Sequence, residues 1–150
     1  MIRINDLSVI DSFDETVPGA AGYAEVYLKA VAKGVQGFGP PVTMRIDSIH
    51  AGGGRGSSEL LCLVVAPTTK RLHRYESAHF AEDFGAALRI GWYQLGGEFA
   101  GGRDIGGLGF LTVGAATDVD VSEVTSIYES VHRYAVLPAI AQVRSVMARP

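Results

Sequence analysis

The chain has 150 residues, 47% hydrophobic and only 19% charged, a balance that excludes a disordered segment and suits one domain with a full core. Its 13 basic and 16 acidic residues leave a net charge of −3, without the basic excess of a dedicated nucleic-acid binder. Cys62 is the only cysteine, which rules out an intrachain disulfide and a metal site built from thiolates.

Ile2 to Val9 suits a short strand. Asp6 and Asp11 put acid where a secretory leader would be apolar, and no run approaches the ~20 apolar residues of a membrane span. The expectation is therefore a cytoplasmic protein without a membrane span. Asp11 to Thr16 reads as a polar break, with Pro18 placed in the first turn of a helix. Ala21, Ala24, Leu28 and Val31 recur at helical spacing, and Gly34 is the expected stop. Alternation of Tyr23, Glu25, Tyr27 and Lys29 keeps a strand as the alternative there.

Val42, Met44 and Ile46 alternate with Thr43, Arg45 and Asp47, the pattern of a half-buried strand. A glycine-rich loop over 51–58 then leads to Leu60–Ala66, whose unbroken apolar run reads as a central strand of an antiparallel hairpin. Leu61, Leu63 and Val65 are expected in the core. Lys70 to Phe84 fits neither period well, and Leu72 to His79 is read as a strand. After a turn at Phe84-Gly85, Leu88, Ile90 and Trp92 alternate with Arg89, Gly91 and Tyr93. Leu108 to Val113 would supply a further strand.

Asp120 and Glu123 have capping-box spacing ahead of a helical face of Val124, Ile127, Val131, Tyr134 and Ala135. Pro138 should kink that helix near Tyr134, and Ile140, Val143, Val146 and Met147 continue it. The expected fold class is α+β, as a single domain. It comprises an N-terminal helix, an antiparallel meander of four or five strands, and a long Pro-broken C-terminal helix packed on one face.

Signs of catalysis are weak. Of the histidines at 50, 73, 79 and 132, His73 and His79 would share a strand face, but ~20 Å apart, too far to share a zinc ion. A site at Glu76, His79 and Asp83 would need that segment to be helical, and a solvated face is the simpler reading. No Gly-x-Ser-x-Gly elbow occurs, and Cys62 lies in the most apolar strand, where a thiol is inert. The basic cluster Lys70 to Tyr75 reads as a solvated edge strand and only secondarily as a nucleic-acid patch. Neither glycine loop has a phosphate-loop pattern, although Arg55 and Arg103 are suited to an anionic partner. No cofactor and no metal is indicated.

The least ordinary segment is the loop at 96–109, where glycine pairs recur every five residues, a spacing that matches neither helix nor strand. Phe99, Arg103, Asp104 and Ile105 make it a candidate interaction loop. The leading expectation is a non-catalytic protein-interaction or self-assembly module, using this loop and a sheet edge and binding itself or another protein. The alternative is a small-molecule-binding or enzymatic domain. Its pocket would lie between the sheet and the C-terminal helix, near Tyr75, Trp92, Tyr128 and His132.

Overall fold

Alternating residues in the middle of the chain become four consecutive antiparallel strands: β3 (Val42–Ala51), β4 (Ser58–Pro67), β5 (Ser77–Phe84) and β6 (Ala87–Leu95). The computed structural model describes residues 2–3, 9–51, 58–96 and 118–149. β2 (Val9–Val17) pairs antiparallel with β6, and β1 (Ile2–Arg3) runs parallel to β3 at Ile49 and His50. The six strands lie in the order β1-β3-β4-β5-β6-β2. Among the described residues, three α-helices complete the α+β fold: α1 (Ala24–Phe38), α2 (Asp118–Val131) and α3 (Leu137–Met147). The strand expected at Leu108–Val113 lies outside the described residues.

Several elements differ from the sequence expectation. The polar stretch at 11–16 is the body of β2, an edge strand whose acids meet cations from distant elements. Asp14 binds Arg89, which also holds Glu82, and Glu15 accepts from Arg144 of α3 at 3.0 Å. α1 does not stop at Gly34 but runs on to Phe38, and Gly39 ends it at φ 64°, with its N–H on the Val35 carbonyl. Gly34 marks a close crossing instead: a Cβ there would sit 2.9 Å from the Ala135 Cα. Residues 72–76 are not strand. Lys70–Leu72 forms a 3-10 turn, and β5 begins only at Ser77. Asp120 and Glu123 do not head the helix, which begins at Asp118, and both carboxylates bind Arg71 of that turn.

The sheet buries both of its faces. Side chains of β4 at Leu63 and Val65 point to the helices and join Tyr27, Val31, Leu88, Ile90, Val131 and Ile140 in the larger cluster. Cys62 and Val64 point the other way, into a second cluster with Ile49, Ala78, Phe80 and Leu95. The central-strand expectation for β4 holds, and burial pushes the Cys62 thiol up to about 12, with the Asp47 carboxylate adding to it. Leu61 is the exception at 61% exposed. It shares the helix-side face with Leu63, but lies where that face is left open.

α2 and α3 are one broken rod. His132–Val136 forms a π-helical turn between them, and the Leu137 N–H bonds back five residues to the His132 carbonyl. Pro138 has no N–H to give the turn before it, and the wider π turn accommodates that loss at the expected place.

Candidate functional site

The helix-side face of the sheet carries a line of polar side chains where a core would ordinarily be apolar. Strand alternation and register put Ser77 opposite Gln94 and His79 opposite Trp92. All four are buried, with Ser77 fully so and His79 at 2% exposed. The Ser77 hydroxyl lies 2.9 Å from His79 Nε2. His79 Nδ1 is a buried atom that finds no hydrogen-bond partner among the described residues. Burial drives this imidazole down to about 3, and His132 adds to the effect. His79 is therefore neutral at physiological pH.

The C-terminal rod closes over this line with matching polar groups. Trp92 Nε1 donates to His132 Nδ1 at 3.0 Å, and Phe13 places its ring edge-on to the same imidazole at 4.6 Å. Gln94 Nε2 donates to Thr125 Oγ1 at 3.3 Å. The Tyr128 hydroxyl reaches the carbonyls of Val65, at 3.0 Å, and of Tyr75. Burial, with Glu76 behind it, pushes that phenol well above its usual range. Burial also lowers His132, opposed by the nearby carboxylates of Glu15 and Asp11.

Tyr75, Trp92, Tyr128 and His132, residues far apart in the chain, thus lie along one seam between sheet and rod, where Trp92 meets His132 and the Tyr128 hydroxyl meets the Tyr75 carbonyl. Ser77, His79 and Gln94 belong to the same seam and were not legible from local pattern. His79 looked like part of a solvated face, and only its register opposite Trp92 reveals its burial. The chemistry available here is hydrogen bonding by neutral groups, because Ser77 and His79 are closed off from solvent. Tyr75 is fully buried as well, and Arg71 is bound to two carboxylates, so the 70–75 cluster is neither an edge strand nor an exposed stacking patch.

Outside the seam, apolar side chains are open at several places among the described residues, Phe84, Tyr134 and Leu137 included. Ile46, at 63% exposed, and Leu61 are diagonal neighbours on the helix-side face of β3 and β4, beside the outer edge of the sheet. A groove of about 320 Å³ runs between Phe38, Pro40 and Pro41 on one side and Ser126, Ile127 and Ser130 of α2 on the other. The interaction-loop candidates Phe99, Arg103, Asp104 and Ile105, and Arg55, lie outside the described residues. Among the described residues, no three His, Cys, Asp or Glu side chains gather as metal ligands, and no helix is long and apolar enough to cross a membrane. Compared with protein-family models, with curated proteins and with solved structures, the chain matches none of them.

Proposed function

We propose that this chain is a non-catalytic self-assembly module that docks a second copy of itself along β3. The observation that carries the reading is the exposed pair Ile46 and Leu61, lying together beside the sheet edge. Burying a side chain such as Ile46 on association is worth about 1.5–3 kcal/mol, and a two-fold contact counts it twice.

The register follows by elimination. A two-fold axis perpendicular to the sheet pairs β3 with its copy antiparallel, with the helices of both copies on the same side. Centred on Ile46, it would drive Thr43 of the copy onto Ile49, whose outer side already pairs with Ile2 of β1. Centred on Arg45, it would set two guanidinium groups face to face. Centred on Met44, it pairs Met44 with its own copy and Val42 with Ile46, both apolar matches on the helix-side face. Pro41 and Pro40, which lack N–H groups, then mark where pairing ends. The glycine-rich segment 96–109 remains a second contact in this reading on its sequence alone, through Phe99 and Ile105.

Sedimentation across a wide concentration range tests the proposal. Wild type should pass from one-chain to two-chain mass, and Ile46→Lys should hold at one chain with unchanged circular dichroism. A wild type that keeps one-chain mass at every concentration would refute it. A second reading, a small-molecule site in the seam, draws on the unpartnered Nδ1 of His79, since a buried polar atom of that kind calls for an explanation. A ligand bound there would raise the melting temperature of the wild type and not of His79→Leu.

A further inference from the structure

The π turn begins at His132, the residue whose Nδ1 holds Trp92, and it is the one irregular turn between α2 and α3. One hydrogen bond therefore ties the irregular turn to the centre of the sheet. Directly beside Trp92 across the strand pair is His79, buried and without a partner for Nδ1 among the described residues.

We infer that the Trp92–His132 hydrogen bond is an acid-sensitive latch on the C-terminal rod. A proton added at His132 Nδ1 turns that atom from acceptor to donor, so two N–H groups face each other and Trp92 is released. The π turn then loosens from the sheet, water reaches His79, and a second proton taken up at His79 holds the seam open. Opening thus consumes two protons in sequence, the first at the partly exposed histidine and the second at the buried one.

The surrounding groups fit this order. From β2, Asp11 and Glu15 act on His132 and favour its charged form, with Glu15 itself bound to Arg144 of α3. From β6 and β5, His132 faces Trp92 and His79. His79 faces Ser77 on its own strand, Trp92 on β6 and His132 on the rod, and His132 is the charged influence on it. α1 approaches the turn with Gly34 against Ala135, and its neighbouring Lys33 is not among the charges that act on His132. With no carboxylate among the described residues acting on it, His79 gains its proton only after the seam is wetted. This inference stands apart from the self-association proposed above, because no residue of the seam lies on the β3 edge.

Trp92 is the only tryptophan, so its emission reports on the latch directly. The experiment titrates intrinsic fluorescence of dilute protein downward from about pH 8, alongside far-ultraviolet circular dichroism. Wild type should show a red shift with a midpoint below about pH 6.5 and a steepness of about two protons, while its helical signal persists. His132→Gln keeps an acceptor for the indole and cannot titrate, so it should match wild type at neutral pH and lose the red shift. His79→Leu should shift at lower steepness, close to one proton. An unchanged transition in His132→Gln, or full steepness in His79→Leu, would overturn the latch. So would an emission change in wild type that coincides with loss of the helical signal.

Discussion

Leu61 and Leu63 are two residues apart on one strand face, yet one is 61% exposed and the other 4%. Leu63→Ala should therefore cost about 2–5 kcal/mol of stability in dilute protein, whereas Leu61→Ala should stay within about 0.5 kcal/mol. Chemical denaturation of both variants checks the contrast, and equal losses would show that Leu61 is covered. His79 carries the pH prediction at this scale. Its folded-state value is held down to about 3 against about 6.5 unfolded, so between those limits the unfolded chain binds a proton that the native chain does not. Stability from this residue is complete above about pH 6.5 and is lost as the pH falls below it, by an amount on the order of 3–5 kcal/mol if the native value is reached. Denaturant midpoints measured from about pH 7 to about pH 4.5 should fall steeply in wild type and much less in His79→Leu. Parallel slopes would mean that other groups set the acid limit.

At the scale of elements, legibility followed how local the cause was. β3, β4 and β6 were legible because alternation is written in neighbouring residues, and the break before α3 because Pro138 acts on its own turn. β2 was not, because its acids look like a loop until Arg89 and Arg144 arrive from elsewhere in the chain. α1 is legible as a helix but its end is not, since Gly34 looks like a stop and is in fact a spacer for the π turn. Gly91 is a second such spacer. A Cβ there would lie 2.3 Å from the Phe13 carbonyl and 2.7 Å from the Phe80 ring, so β2, β5 and β6 meet only because the position is bare. Gly91→Ala should destabilise by at least about 1–3 kcal/mol, the usual range for overpacking, although alanine suits a strand no worse than glycine. A melting temperature equal to that of wild type would contradict the close approach.

For the whole molecule, the β3 register makes a covalent prediction. In a Cys62→Ser background, Met44→Cys places two thiols opposite each other across the two-fold axis, at the 4.5–5.5 Å or so between Cα atoms of a directly opposed pair. Mild oxidation should join two chains through Cys at 44, and Thr43→Cys, which faces Arg45 of the copy, should cross-link far less. Efficient linkage at 43 and none at 44 would reject the Met44-centred register while leaving self-association open. The seam shows the same division between pattern and assembly. Tyr75, Trp92, Tyr128 and His132 stand out in the sequence as aromatic and imidazole groups, although Tyr75 lies just before β5 rather than on it. Ser77, His79 and Gln94 do not, because nothing beside them in the chain announces burial.

The sequence by itself determined an α+β chain with a central apolar strand, a buried Cys62 and a rod broken at Pro138. Those features depend on periodicity and on backbone chemistry that acts over a few residues. Only the tertiary structure decided that Asp11–Thr16 is an edge strand and that Asp120 and Glu123 serve Arg71. It also decided that Leu61 is left in the open and that His79 is sealed beside Trp92. Each of these depends on the position of a partner many residues away, and on whether a helix happens to cover that part of the sheet. Charge pairing and burial are properties of places in the fold, and the chain acquires them only when distant segments meet.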